Sequence, residues 1–533
     1  MIGFINQHKW IFFVSPALIF FFIIPQFLVP AEDAAILYQY SENLANSGVI
    51  SYNSYDKPAE GATDFLWMVF ISILHITGFS SYVASNILSF FSLVFTSLII
   101  YKLTKLDNIF YYLSIFLYLS ILPFIPGSIL GFSPLFFGFA ICLSSYLLIK
   151  KNEVLFFVSI LGLCLIRPEG FFIGFGLVIS YLLIIKENLN KQTFLNIFLY
   201  LILPGLIYFF WRWEYFGELL PLPFYVKTNF EPLIGIFNYS SLIENFKIIL
   251  IFIPFLIFNF YLLRKSEKLH KIIWSFLFLS LVIIPFLAYS SISLSQNVSL
   301  RFQYPIVLGI FISLSYLIGV NTKQVSKKLL LAILIIQLIF FSPLSARNFL
   351  SLIAVSNENI PSLAKELSKF EPKGNMLVTE AGRLPYYSKW HTTDAWGLNS
   401  PEFSKKLITS NEVTNGNFDL IVVHTENEDY SNIFNKNIST FSNHKSWKNM
   451  TDNIFSGIDL NSYTLLMVPF RVYSKDSIYN FLNSYRKTNK LKRYDAFFVS
   501  KNYQHSNKLI KLLLDHEALP FSNYVLLNHN AVN

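Results

Sequence analysis

About eleven apolar runs, each near the length that crosses a bilayer, fill the first two thirds of this chain and leave few folds open to it. The first extends from Trp10 to Val29 after Lys9. The others lie near 81 to 101, 108 to 124, 131 to 149, 153 to 166, 168 to 185, 193 to 211, 246 to 263, 272 to 290, 302 to 320 and 329 to 345. The first run is too long for the apolar part of a cleaved signal and reads as a retained signal anchor. The shorter stretch Phe65 to Phe79, with His75 inside it, reads as a helix lying in the interface. Composition agrees, with 54% hydrophobic and only 14% charged residues. The expected class is a polytopic α-helical membrane protein with about 11 transmembrane helices. Cys142 and Cys164 both fall within apolar runs, so they read as small hydrophobes rather than a disulfide or thiol metal site.

Loop charge sets the orientation. With a cytoplasmic N-terminus, the cytoplasmic loops carry Lys102 and Lys105, Lys150 and Lys151, Lys186 and Lys191, "RKSEKLHK" from Arg264 and "KQVSKK" from Lys323. All are basic, as the positive-inside rule requires, so the net charge of +9 reflects topology and implies no nucleic-acid partner. Four cations fall on the opposite face: Arg167, Arg212, Lys227 and Arg301. Snorkelling near helix ends is the plain explanation. The sharper one is an anion site. Arg167 stands in "CLIRPEGF", where Pro168 and Glu169 interrupt two apolar runs, and charges at such a break are costly unless they line a polar cavity. Arg212 and Lys227 bracket a stretch containing Tyr225 whose Trp residues suit an aromatic belt; a belt does not account for Glu214 and Glu218. Arg301 opens "RFQYP" directly before a span, where an interfacial anchor is the alternative.

Past Leu344 the apolar runs stop. The domains expected are a transmembrane part over 1–345, with a first outer loop at 31–80, and a soluble part over 346–533. Strand-like runs at "NMLVTE", "DLIVVHTE", "YTLLMVPF" and "AFFVSK" alternate with helical stretches such as Pro361 to Phe370 and Ser474 to Tyr485, which predicts an α/β layer. An odd number of spans places this domain on the extracytoplasmic side, together with the first outer loop.

That loop, with the start of the next helix, reads "AEDAAILYQYSENLANSGVISYNSYDKPAEGATDFLW". Ile36, Tyr40 and Leu44 form one stripe, as in an interfacial amphipathic helix. Glu32 and Asp33 fall at its N-terminus, where a helix cap is the plain reading. A cap does not call for two acids, and a carboxylate at the membrane boundary suggests function. Asp64, before the Phe65 helix, invites the same pair of readings. Carboxylates on an outer loop, cations on the same face and a soluble domain suit sugar transfer from a lipid-linked phosphate: a carboxylate deprotonates an acceptor hydroxyl, and Arg and Lys stabilise the departing phosphate. An anion transporter would also use the cations.

The loop resembles that of the GT-C superfamily of membrane glycosyltransferases, and within it is most similar to mycobacterial terminal arabinofuranosyltransferases and their bacterial relatives. The residues that carry the resemblance are Glu32 and Asp33, Tyr38 and Tyr40, Asn43 and Leu44, Gly48, Asn53, Glu60 and Gly61, Thr63, and Phe65 to Trp67. "RPEG" from Arg167, "YFGELLP" from Tyr215 with Lys227 after it, "RFQYP" from Arg301 and "EAGRLPYYSKWHTTDAWGLNS" from Glu380 extend it along the chain. Glu32 stands where relatives often carry Asp, Gln39 where Arg is common, Ala35 where an aromatic is common and Asp64 where Asn is frequent. These departures leave the donor sugar open.

The resemblance implies a polyprenyl-phosphate sugar as donor, inversion at the anomeric carbon, and a glycan or glycolipid acceptor. Asp33 is the expected general base, with Glu32 as orienter or alternative. Arg212, Lys227, Arg301 and Arg167 are expected to hold the donor phosphate, and Glu60, Asp64, Glu169 and Tyr225 to contact substrate. No cofactor is required, although the loop acids leave room for a divalent cation. Membrane lipids surround the spans, and the expected location is a bacterial inner membrane with the site on the extracytoplasmic side. A transporter or flippase, a glycan polymerase or ligase, and a non-catalytic scaffold are the rival readings.

Overall fold

The computed structural model describes residues 17–104, 124–230, 238–322 apart from 293, 295 and 296, scattered positions between 332 and 352, and 359–424, 445–469 and 494–523. The start of the first span, the spans expected at 108 to 124 and 329 to 345, and the helix expected over Ser474 to Tyr485 lie wholly or largely outside the described residues. The helices bearing on function are, in chain order, α1 (Glu32–Ser47), α2 (Phe65–Ile76), α3 (Glu153–Ile166), α4 (Gly170–Ile184), α5 (Leu203–Phe216), α6 (Leu222–Phe230), α7 (Ile284–Ser290), α8 (Tyr304–Val320), α9 (Ile360–Leu367) and α10 (Arg383–Ser388). The chain divides into two compact units. One comprises Met1–Leu28, Thr63–Glu214 and Leu233–Leu352; the other comprises Val29–Ala62, Tyr215–Pro232 and Ile353–Asn533.

The first unit is helical and belongs in a bilayer. Among the described residues, four helices are long and apolar enough to cross a membrane: Ser81–Thr104, Lys191–Phe216, Lys268–Ser290 and Val298–Val320. Counting each of two bent helix pairs as one span gives up to six, and four shorter apolar helices accompany them, among them α2, α3 and α4. Val298–Val320 is 94% buried and forms the hub, whereas Lys191–Phe216 is 11% buried and turns Phe194, Phe198 and Phe210 outward. Large apolar side chains facing away from protein are stable only in hydrocarbon, so the chain is an integral membrane protein. Between α3 and α4, Arg167 is extended and the Gly170 N–H bonds back to its carbonyl at 2.9 Å. A side chain at Gly170 would collide with the Leu163 carbonyl, so glycine permits this tight reversal. Cys142 is buried, Cys164 is partly buried, and both are free thiols.

In the second unit a six-stranded mixed sheet runs β2-β1-β3-β5-β4-β6. Its strands are β1 (Asn375–Val378), β2 (His391–Asp394), β3 (Leu420–Val423), β4 (Tyr463–Pro469), β5 (Tyr494–Ser500) and β6 (Leu519–Pro520). β1 pairs in parallel with β2 and β3; β5 joins β3 and β4 antiparallel. β3 is buried along its whole length, as a central strand covered on both faces must be. Leu377, Ile421, Val423, Met467 and Phe498 share the core on one face.

α1 packs within this second unit, and its buried side differs from the expected stripe. Ala34, Ala35, Tyr38, Gln39, Tyr40, Ser41 and Asn43 are buried, whereas Ile36 and Leu44 are only partly covered. The cause is polar. Gln39 Nε2 donates to the Tyr52 carbonyl at 2.7 Å, and Asn43 Nδ2 donates to the carbonyls of Ser51 and Tyr52, each at 2.9 Å. These amides turn the helix toward its own following loop, which Gly48 starts with φ +73°.

Candidate functional site

The first-loop acids are not the cap that their position suggested. The N-cap of α1 is Ala31, no side-chain cap bond is made there, and Glu32 and Asp33 occupy the first turn, where the helix dipole favours negative charge. Glu32 is held by the C-terminal segment: its Oε1 accepts the N–H groups of Gly382 (2.8 Å) and Arg383 (2.9 Å), and its Oε2 accepts Arg383 Nε at 2.7 Å. A Cβ on Gly382 would lie 2.5 Å from that same Oε1, so only glycine fits. Ten residues on, Glu42 accepts from Tyr386 Oη (2.6 Å) and Lys389 Nζ (2.8 Å). Tyr52 Oη donates to the Ala381 carbonyl, and Asn53 and the Thr392 backbone exchange hydrogen bonds of 2.9 and 3.0 Å. The segment "EAGRLPYYSKWHTTD" is thus a clasp for the first loop.

A cleft opens where β1 and β3 end, the carboxyl edge at which open α/β sheets commonly place sites. Glu32, Glu380, Arg383, His424 and Asp495 line it. His424 Nδ1 lies 2.7 Å from Asp495 Oδ1, and its Nε2 lies 3.5 Å from Glu380. Burial pushes Glu380 up to about 7 against the pull of His424. Burial alone would lower His424, but Glu380 and Asp495 outweigh it and raise the imidazole to about 10. Asp394, at the end of β2, is pushed by burial up to about 6 although Trp396 and Asn399 donate to it.

Other expected residues fall in the same unit. Glu60 is buried, and its carbonyl accepts the Leu222 N–H that starts α6. Tyr225 on α6 accepts the Leu220 N–H at 3.2 Å and lies beneath Lys405, 4.7 Å from Nζ to the ring centre. Lys227, also on α6, is exposed.

The helical unit gathers Asp64, Arg167, Glu169 and Arg301. Arg167 forms a two-pronged pair with Glu169 at 2.8 and 3.3 Å across the break between α3 and α4. Asp64 occupies the N-cap position of α2 without making a cap bond; its Oδ2 accepts Ser133 Oγ instead. Burial pushes Asp64 up, while Arg167, Ser133 and Arg301 pull it down and Glu169 pushes it further up. Arg301 lies 3.9 Å from the centre of the Phe132 ring, and Arg167 lies 5.2 Å from that of Phe302. Arg212 is the one buried residue of α5.

Sequence reasoning missed Tyr289 and Ser299. Tyr289 Oη is buried under the charges of Glu169, Arg167 and Asp64, and it has no hydrogen-bond partner among the described residues. Ser299 Oγ is likewise buried without a partner, on a backbone with φ +53° followed by Leu300 at +59°. Left-handed non-glycine residues are costly and gather at functional sites. Nothing marked Tyr289 beforehand, since a Tyr near the end of an apolar run suits an aromatic belt. Among the described residues, no group of three or more His, Cys, Asp and Glu side chains could hold a metal ion.

Residues 354–476 match a family model described as a domain of unknown function, DUF8728. No curated protein matches the sequence. In three dimensions the chain is similar to ArnT from Cupriavidus metallidurans in the apo state, with a TM-score of 0.55 at 10% identity, covering 79% of this chain and 93% of that one. The same protein bound to undecaprenyl phosphate gives a TM-score of 0.52 at 11% identity, covering 78% and 92%. The chain therefore shares the fold of ArnT. At this identity the likeness concerns architecture alone, and the helices with a C-terminal mixed sheet agree with the class expected from sequence. The narrower kinship with arabinofuranosyltransferases gains nothing from it.

Proposed function

We propose that this chain is a membrane glycosyltransferase that moves a sugar from a polyprenyl-phosphate donor to a hydroxyl of a glycan or glycolipid acceptor. The observation that carries the reading is the buried hydroxyl of Tyr289, which has no hydrogen-bond partner among the described residues and lies under the charges of Glu169, Arg167 and Asp64 in the helical unit. A hydroxyl buried in low dielectric is costly unless an acceptor completes it, and a lipid phosphate brings acceptor oxygens within the membrane. The GT-C fold, and the undecaprenyl phosphate held by the similar ArnT, support the same class of donor.

In the proposed reaction Asp33 takes the proton of the acceptor hydroxyl as its oxygen bonds to the anomeric carbon. The bond from that carbon to the phosphate oxygen breaks, and polyprenyl phosphate leaves with the electron pair. A single displacement inverts the anomeric centre. Arg167 and Arg301, with Arg212 and Lys227, would offset the charge on the leaving phosphate, while Glu60, Asp64, Glu169 and Tyr225 would contact substrate. The acids of the first loop leave room for a divalent cation, which the reaction does not require. We place the site on the extracytoplasmic side of a bacterial inner membrane.

Mass spectrometry of surface glycans from a deletion strain should show loss of one terminal sugar; build-up of whole intermediates inside the cell would favour a transporter. With the sugar known, Asp33→Asn in purified membranes should lower transfer from the radiolabelled lipid-linked donor by at least about 100-fold. Undiminished transfer would remove Asp33 from the mechanism.

A further inference from the structure

We infer that Arg383 is a positioning residue for this reaction, acting through Glu32 to fix the first turn of α1 and with it the carboxylate of Asp33. The inference rests on Asp33 being the base.

The first turn of a helix is where order is weakest, because its N–H groups lack intrahelical acceptors and a side-chain cap usually supplies one. α1 has no such cap, since Ala31 stands at that position. Its first turn is pinned from outside instead, by three hydrogen bonds of 2.7 to 2.9 Å converging on one carboxylate. Two come from backbone N–H groups, so Arg383 is the one member that a side-chain substitution removes directly. Its side chain is only 5% exposed, which lets its charge act in a low-dielectric setting. Both oxygens of Glu32 are thereby committed as acceptors, in the same turn as Asp33.

A structural rivet alone would not need this chemistry. The clasp already holds α1 through Glu42, Tyr386 and Lys389, and holds the loop through Asn53 and Thr392. Those contacts lie further along the helix or beyond it. The Glu32 contact lies beside Asp33, in the first turn of the helix. A guanidinium suits this place better than an ammonium, because its planar fork fixes direction as well as distance. Catalytic groups must be held to about half an ångström, and a displacement of about 1 Å can cost about 100-fold in rate.

The test uses the full-length protein in nanodiscs, with wild type, Arg383→Lys, Arg383→Gln and Asp33→Asn compared. Radiolabel transfer is followed from undecaprenyl-phosphoryl arabinose, mannose, galactose and glucose, and from the sugar identified by glycan analysis. With the accepted donor, Arg383→Gln should lower kcat by roughly 10- to 100-fold with KM changed less than about threefold, and Arg383→Lys should recover only part. In parallel, coupling of glycine ethyl ester by a water-soluble carbodiimide, read by peptide mass spectrometry, should change in rate at Asp33 in both variants. Arg383→Lys, which keeps the charge, guards against a variant that fails to fold, and its melting temperature is recorded. Wild-type kcat and unchanged Asp33 coupling in both Arg383 variants, with Asp33→Asn inactive, would overturn this inference alone. A fully active Asp33→Asn would overturn the base assignment, and this inference with it.

Discussion

Replacing Glu32 with Gln keeps the side chain's shape and removes its charge, which isolates the ionic part of the clasp. The amide oxygen can still accept the N–H groups of Gly382 and Arg383, now 2.8 and 2.9 Å away. The amide nitrogen must then face Arg383 Nε across the present 2.7 Å, donor against donor. Breaking a buried ion pair from one side costs about 3–5 kcal/mol. Here Arg383 is 5% exposed but Glu32 is 22% exposed, and two of three hydrogen bonds survive, so about 2–3 kcal/mol is expected. At about 2–4 °C per kcal/mol for a unit of this size, the C-terminal unit should melt roughly 5–10 °C lower. Thermal unfolding in nanodiscs, paired with amide hydrogen exchange at Gly382 and Arg383, reads both the loss and its place. A melting point within about 1 °C of wild type, with unchanged protection at those amides, would refute the ionic clasp.

Three further outcomes follow from the same geometry. Gly382→Ala places a methyl against Glu32 Oε1 and should separate α1 from the clasp, lowering stability by at least about 2 kcal/mol, measured by the same melting experiment. His424 sits above its unfolded value, so its stabilising effect is full below about pH 6.5 and is lost as pH rises toward about 10; Glu380, raised to about 7, also lowers stability as pH climbs to that value. The wild-type unit should therefore melt progressively lower from mildly acidic to alkaline pH, and His424→Gln should flatten the upper part of that slope. Tyr289→Phe removes a hydroxyl without a partner among the described residues, so stability should hold while the Kd for undecaprenyl phosphate, measured by microscale thermophoresis, rises about 10-fold.

Much of the fold is written in local pattern. The runs around Asn375, Leu420, Tyr463 and Tyr494 became strands because β-branched and aromatic residues cluster there between turn residues. β2 escaped notice because His391 to Asp394 is short and polar; its place at the sheet edge comes from pairing with β1. Arg167 and Glu169 stood out as charges at a break in apolar sequence, and they do form a pair, with Asp64 and Arg301 acting on the same place. The fate of Glu32 was not legible, since its partners lie 350 and 351 residues away and no local pattern encodes so distant a contact. The face of α1 was misread for a related reason. Gln39 and Asn43 look like solvent-facing residues until the loop that accepts their hydrogen bonds is in place.

That 350-residue separation also has a temporal side. A ribosome adding about 5–20 residues per second needs roughly 20–70 s to travel from Glu32 to Gly382. During that interval the nascent first loop has been made but its clasp has not, so its buried amides and tyrosines must wait in a form other than their final one. The C-terminal segment is therefore the assembly step that completes α1, and a ribosome stalled before Gly382 would leave every upstream residue translated and the proposed base without its mounting.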